Sequence, residues 1–286
     1  MSTVMSVVMP AHDEETIIAR SLHSLVASDA KGRLEIVVVA NGCHDQTAAV
    51  AAAVSSRIRV VQIATPSKIA ALNAGDDVAT AFPRAYVDAD VDVNADALLA
   101  VASRLDDEAG VLVGAPLLRV DTARASLAVR QYYRVWEQSE YRVPGHVGSG
   151  VYVLSKGGRA RFGRFPDVIA DDRFVQRLFT ADERVTVGEA SFTVPAPRTF
   201  GALLRRATRI ASGNRQLAAE HPASADGNGS PRFSALIKRV AKRPSLWFAF
   251  GTYCCGYIVP RIQARLLEAA GRTPGWNRDD TTRVSA

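Results

Sequence analysis

Apolar residues along the first hundred positions fall into two alternating patterns. Short, almost uniformly apolar runs at Val4–Met9 (VMSVVM), Glu35–Ala40 (EIVVVA), Ile58–Ile63 and Ala85–Val87 predict buried strands. Between them, Glu14–Ala27 places Ile17, Ile18, Leu22 and Leu25 at helical spacing, and Thr47–Val54 and Lys68–Ala81 also read as helices. This strand and helix alternation predicts an α/β fold with a mostly parallel sheet flanked by helices, because parallel neighbours need a crossover and a helix is the usual one. Ligands of such sheets bind beyond the carboxyl ends of the strands. That rule singles out Pro10–Glu15, Ala40–Asp45, the loop before Lys68, and Asp88–Asp92.

The second half is less regular. Residues 119–143 predict a helix with Leu127, Tyr132, Trp136 and Tyr141 as its apolar and aromatic positions. Gly148-Ser149-Gly150 interrupts ahead of a strand-like Val151–Leu154, and helices are predicted over Asp171–Phe179 and, with basic character, over 201–220. Residues 221–231 (HPASADGNGSP) have linker composition. The expected organisation is a domain over 1–220, a linker over 221–231, and a basic and apolar C-terminal helical extension over 232–286. Within the extension, 244–260 (PSLWFAFGTYCCGYIVP) is uncharged between Arg243 and Arg261. It holds two prolines and two glycines and falls short of the roughly 20 apolar residues of a spanning helix. An interfacial or re-entrant membrane segment is one reading, and a helix packed on the domain or on a second protomer is the other.

With 286 residues, 48% hydrophobic and 22% charged, the chain can bury a large core, which excludes disorder and fibrous repeats for most of it. Three cysteines, Cys43, Cys254 and Cys255, form neither a disulfide framework nor a C-x-x-C knuckle, and so predict a reducing compartment. The first residues lack a basic n-region and turn acidic by Asp13, unlike a signal peptide, so a cytoplasmic location is expected. The net charge of +6 is unevenly spread. Residues 1–118 carry 8 Lys/Arg against 15 Asp/Glu, and residues 198–286 carry 15 against 5. An acidic front half needs a cation to hold an anionic ligand, while the basic tail suits phosphate or an anionic membrane. Nucleic acid is not expected, because the basic residues lack the aromatic or zinc-ligand patterns of its usual modules. Nor is there a G-x-G-x-x-G after the first strand or a G-x-x-x-x-G-K-[ST] anywhere, which argues against dinucleotide oxidoreductases and P-loop NTPases.

Asp88-Ala89-Asp90 follows a predicted strand directly. Carboxylates two residues apart there can converge on one point, and their hard oxygens suit Mg²⁺ or Mn²⁺ bridging a diphosphate. A solvated acidic loop is the plain alternative. The segments VVMPAHDEE, EIVVVANGCHDQT, KIAALNAG, YVDADVD, GSGVYVLS and ADD occur in this order. Over residues 4–220 that ordered set resembles the family 2 glycosyltransferases of the GT-A fold.

The resemblance implies an inverting enzyme of the hexosyltransferase class that moves a sugar from a nucleotide-diphospho-sugar to an acceptor hydroxyl, in cell-surface glycan synthesis or on a lipid carrier. Pro10, Ala11 and Glu14 match its first nucleotide loop. Asn41 stands where relatives carry a base-contacting aspartate, with Ala40 replacing its acidic neighbour; an amide can offer a donor and an acceptor to a base edge. Lys68 would reach the nucleotide, and Asn73 and Gly75 would shape the same turn. Asp88 would face ribose or metal-bound water, and Asp90, with Asp88, would hold the metal. Asp171 and Asp172 match a carboxylate pair whose second member, here Asp172, is the general base. Arg209, where processive relatives show Q-x-x-R-W, would steady the departing diphosphate or else belong to a solvated basic face. His146 and Gly148–Gly150 would line the acceptor side, Asp45 and Thr47 would cap the following helix, and Asp92 would cap a helix or be solvated. His12 and His44 fall beside the donor side without metal-ligand spacing. A sugar nucleotidyltransferase is the enzymatic rival, yet PAHDEE is too acidic for its triphosphate loop. An idle binding protein is the other rival, favoured by Ala40-Asn41 and opposed by Asp88, Asp90 and Asp172.

Overall fold

The computed structural model describes residues 4–139, 145–220 and 233–271. The expected linker 221–231, Tyr141, and positions 232 and 272–286 of the extension lie outside the described residues. The chain forms two compact units, the first built from residues up to 119 with 145–167 and 171–194, the second from 120–139, 168–170 and the residues after 194.

In the first unit, strands β1 (Met5–Ala11), β2 (Leu34–Asn41), β3 (Ile58–Ile63) and β4 (Arg84–Val87) are separated by helices α1 (Ile18–Ser28), α2 (Thr47–Val54) and α3 (Lys68–Val78). Helix α4 (Ala95–Asp107) leads to β5 (Val113–Asp121), and β6 (Val151–Leu154), short α6 (Lys156–Arg159), α7 (Asp171–Arg177) and β7 (Arg184–Pro195) follow, with α5 (Leu127–Trp136) between β5 and β6. The sheet order is β3-β2-β1-β4-β6-β5-β7. Strands β1 to β4 are parallel, and β6 runs antiparallel to both β4 and β5. Every residue of β1 is buried, as expected of a strand covered by helices on both faces. Fold class and the first four strands thus match the sequence pattern.

Several expectations need correction. Helix α1 starts at Ile18 rather than Glu14, because the Glu14 carbonyl accepts from both Ile17 N and Ile18 N and closes a turn first. Helix α3 ends at Val78 rather than Ala81, since Ala79 is extended. Residues 119–143 are not one helix: β5 runs through Asp121, and α5 begins only after Ser126. Strand β7 and helix α4 had no expectation. Asn94 caps α4 by accepting from Ala97 N at 2.8 Å, whereas Asp92 is exposed.

Asn73 and Gly75 lie inside α3, not in a turn. A Cβ on Gly75 would sit 2.3 Å from Val8 Cγ1, so only glycine lets α3 lie this close to β1. The Asn73 amide clamps residue 165, donating to the Phe165 carbonyl (3.1 Å) and accepting from its N–H (2.9 Å). Below α3, buried Asp76 receives Arg84 Nη1 (2.5 Å), Arg159 Nε (2.7 Å) and the Tyr86 hydroxyl (2.7 Å), which joins α3, β4 and α6.

The second unit is helical, comprising α5, α8 (Phe200–Glu220), α9 (Phe233–Ala241) and α10 (Trp247–Ala269). Helix α10 is continuous over 23 residues despite Pro260, so the uncharged run and the basic segment after it form one element. Its buried face carries Ala249, Tyr253, Gly256, Pro260 and Ala264. A Cβ on Gly256 would lie 2.6 Å from the Tyr132 ring, so this glycine sets the approach of α10 to α5. The other face exposes Trp247, Phe248, Ile258, Ile262 and Leu266. Among the described residues no helix is long and apolar enough to cross a membrane.

Candidate active site

Strand order reverses at β1, which has β2 on one side and β4 on the other, and the crevice at such a reversal is where open α/β sheets bind ligands. Lys68 opens α3, whose N-cap Ser67 accepts from Ala70 N at 3.2 Å. A helix N-terminus repels an ammonium. Two carboxylates offset that: Lys68 Nζ lies 2.7 Å from Asp88 Oδ1, just past β4, and 2.9 Å from Asp171 Oδ1, at the start of α7. Burial alone would lower the lysine's pKa, but Asp171 and Asp88 outweigh it and hold the ammonium above the usual lysine range. For Asp88 the balance tips the other way. Burial raises it, Lys68 pulls it down, and the negative charges of Asp171 and Asp90 add to the rise, leaving it at about 6.

Asp171 is only 3% exposed, and its Oδ2 accepts from the Tyr152 hydroxyl at 3.3 Å. Burial, then the charge of Asp171, push Tyr152 well above the usual phenol range and keep it a donor. Asp172 is partly exposed and is held by backbone: its Oδ2 accepts from Ser149 N at 2.9 Å and its Oδ1 from Arg173 N at 2.7 Å. The turn that supplies Ser149 has positive φ at three successive residues, 123° at Gly148, 62° at Ser149 and 99° at Gly150. Side chains there would collide. A Cβ on Gly148 would stand 2.9 Å from Asp172 Oδ2, and one on Gly150 2.8 Å from Val91 Cγ2 and 3.4 Å from Asp88 Oδ2. His146 Nε2 lies 3.2 Å from Ser149 Oγ, and burial lowers its pKa against the pull of Asp172.

At the other side of the crevice, Pro10 and Ala11 end β1, and Asn41 ends β2. Asn41 is fully buried, and among the described residues neither its amide nitrogen nor its amide oxygen has a hydrogen-bond partner. Glu14 is buried too. Two loops meet here and are tied by backbone bonds. Glu14 N donates to Thr47 Oγ1 (2.6 Å), Glu15 N to Asp45 Oδ2 (3.1 Å) and Gln46 N to Glu15 Oε2 (2.9 Å). Asp45 also accepts from Thr47 N at 2.9 Å, close to the capping role expected, although the N-cap position is Gln46.

The fold therefore brings Lys68, Asp88 and Asp171 into contact and sets Asp172 on the same glycine turn that borders Asp88. Arg209 lies in α8 of the second unit. Two participants escaped the sequence reading, Tyr152 and the Ser149 amide. A serine between two glycines was the available signal for the amide, since that pattern marks unusual backbone geometry. For a divalent ion, Asp88 and Asp90 offer two hard carboxylates, and Asp90 is partly exposed. That donor set fits Mg²⁺ or Mn²⁺, which bind through one or two carboxylates plus substrate phosphates.

A mostly parallel sheet with a carboxylate pair beyond its central strand and flanking helices is a GT-A-like architecture. Residues 6–159, more than half of the chain, match the model of glycosyl transferase family 2. The chain belongs to that family and is a glycosyltransferase. Among solved structures it is similar to the mannosyltransferase PcManGT from Pyrobaculum calidifontis in complex with GDP-Man and Mn²⁺, at 21% identity and TM-score 0.61 over 95% of this chain and 80% of that one. It is similar to S. aureus TarS 1-349 at 14% identity and TM-score 0.50, covering 92% of both chains. It is also similar to glucosyl-3-phosphoglycerate synthase from Mycobacterium tuberculosis in complex with Mn²⁺ and UDP-Glc, at 19% identity and TM-score 0.53 over 80% of this chain and 82% of that one. No curated protein matches the sequence.

Proposed function

We propose that this glycosyltransferase moves a sugar from a nucleotide-diphospho-sugar to an acceptor hydroxyl in a single inverting displacement with Asp172 as general base. The observation that carries the reading is the unequal fate of two adjacent carboxylates. Asp171 is buried and neutralised by Lys68, whereas Asp172 is reachable and oriented by the Ser149 amide. A base must approach the hydroxyl to about 3 Å, and a carboxylate fixed at both oxygens by backbone N–H groups is already aimed. Lys68 acts in positioning: its ammonium bridges Asp88 and Asp171 and so ties the end of β4 to the start of α7. Asp90 with Asp88 would hold Mg²⁺ or Mn²⁺, which supplies positive charge to the leaving diphosphate. Asn41, with Pro10, Ala11 and Glu14, would meet the nucleoside; the unpartnered amide supports this, because a base edge can satisfy a donor and an acceptor together. The relatives in complex with GDP-Man and UDP-Glc support nucleotide-sugar donors in general.

The test is a pair of variants. Asp172→Asn keeps shape and hydrogen bonding, so donor binding persists while transfer falls about 10²-fold or more. Asp171→Asn loosens Lys68 and lowers stability. If Asp171→Asn abolishes turnover while Asp172→Asn retains it, Asp172 is not the base.

We also propose that the exposed apolar stripe of α10, with Lys242, Arg243, Arg261 and Arg265 beside it, seats the enzyme on the inner face of the cell membrane, where a lipid-linked acceptor would be presented.

A further inference from the structure

The two loops at the donor side bring three metal-ligating side chains together, His12, Asp13 and Cys43, with His44 at their solvent edge. The β1–β2 register pairs Ala11 with Ala40, so His12-Asp13 and Gly42-Cys43-His44 emerge side by side. Asp13 (φ 47°) and Gly42 (φ 57°) take left-handed backbone, and a Cβ at Gly42 would lie 2.7 Å from Pro66 Cβ, so the turn that aims Cys43 requires glycine. One donor atom from each of His12, Asp13 and Cys43 lies within 4.8 Å of the others, the one such group of three or more among the described residues. His12 Nε2 is 3.8 Å from Asp13 Oδ2, and His44 Nδ1 is 3.8 Å from the same oxygen. Tetrahedral Zn²⁺, with bonds of about 2.0 Å to nitrogen or oxygen and about 2.3 Å to sulfur, separates its donors by roughly 3.3 to 3.8 Å.

The hydrogen bonds around the cluster point the same way. His12 Nδ1 is 2.6 Å from the Asn41 carbonyl, which only accepts, so Nδ1 carries the proton and Nε2 presents its lone pair. A ligating histidine usually donates its other N–H to such a carbonyl. Asp13 N donates to Cys43 Sγ at 3.4 Å and Cys43 Sγ donates to the Ala11 carbonyl at 3.5 Å, so the sulfur is held in place as a thiol whose pKa burial raises, and Zn²⁺ would take the place of its proton. His44 N donates to Asp13 Oδ1 at 2.6 Å, which leaves Oδ2 facing both rings. Three of the groups are partly buried and preset, while the His44 ring is 86% exposed and lies at the solvent side of the cluster.

We infer that His12, Asp13 and Cys43, with His44 as fourth ligand, form a binding site for Zn²⁺, separate from the Asp88 and Asp90 carboxylates. Imidazole and thiolate select a borderline-soft ion, whereas Mg²⁺ and Mn²⁺ prefer all-oxygen sites. Sequence spacing hid the site because its ligands leave the ends of two different strands. Bound Zn²⁺ would fasten the first loop to the second next to Asn41 and Glu14.

The experiment uses the full-length protein, stripped with a chelator and titrated with Co²⁺ as a spectroscopic stand-in, in excess Mg²⁺. One equivalent should produce the visible bands of tetrahedral cobalt and a thiolate-to-cobalt charge-transfer band, displaced by Zn²⁺ and untouched by Mg²⁺. Cys43→Ser should remove the charge-transfer band, and His12→Gln should weaken binding about tenfold or more. Asp90→Ala should leave the spectrum unchanged. Circular dichroism checks that each variant is folded, and if one is not, the other carries the test. No charge-transfer band in the unaltered protein, its persistence in Cys43→Ser, or its loss in a folded Asp90→Ala would overturn the inference.

Discussion

Lys68 occupies a position that disfavours its charge, and it stays because two carboxylates need it more. Asp171 is nearly inaccessible, so removing its cation leaves a buried, uncompensated anion. Lys68→Met should therefore cost about 3–5 kcal/mol of stability by urea unfolding. Adding Asp171→Asn should restore part of that loss, which a double-mutant cycle measures. His146 gives a pH-dependent prediction. Its pKa is lowered in the fold chiefly by burial, so as pH drops through the ordinary histidine range the unfolded chain takes up the proton first and stability falls, until the folded ring is protonated as well. Asp88, raised in the fold, acts with the opposite sign in an overlapping window. The melting temperature of wild type minus that of His146→Asn should isolate the histidine and show the difference shrinking from neutral toward acid pH. Most of these residues were legible one by one from their motifs. Their pairing was not, because positions 68, 88 and 171 meet only through the sheet, and Asn73 and Gly75 turned out to serve packing of α3 instead of a loop.

At the scale of elements, the Asp76 cluster shows how the helix that presents Lys68 is anchored. Asp76 is buried with two arginines and a tyrosine on it, and Asp76→Ala would strand Arg84, itself within the core. We expect a loss of about 3–5 kcal/mol, read as a lower urea midpoint with unchanged slope. Strands β1 to β4 could be read from sequence because both faces are covered, so their apolar runs are unbroken. Strand β5 could not: its burial fades toward Asp121, and the polar Arg119–Asp121 stretch joined the following helix into one apparent period. Helix α4 and strand β7 carry mixed patterns that neither template singled out. In α10, two prolines and two glycines suggested breaks, yet Pro244 lies before the helix and Gly256 serves close packing on Tyr132.

For the whole molecule, acidic and basic residues divide along the chain in a way that suits two tasks. The acidic first part supplies Asp88 and Asp90 of the crevice, and the basic last part includes α10. Phe248 is 77% exposed and Trp247 61%, far more than a helix interior to a soluble core would show. If this face meets lipid, the full-length protein should float with vesicles containing anionic lipid and float less when salt is raised. Replacing Trp247 and Phe248 by serine should abolish flotation while leaving donor binding intact. Sedimentation of the unaltered protein away from anionic vesicles at low salt would rule out the membrane seat and leave the transferase assignment unaffected.

The backbone bond from Ser149 N to Asp172 Oδ2 also makes the proposed base observable. An amide proton whose nitrogen lies 2.9 Å from a carboxylate oxygen shifts strongly with that oxygen's charge. The nitrogen and proton resonances of Ser149 should therefore report the charge state of Asp172 directly, in the absence of donor, acceptor or turnover. A spectrum recorded as acceptor is added would show whether the hydroxyl engages the carboxylate before any sugar moves.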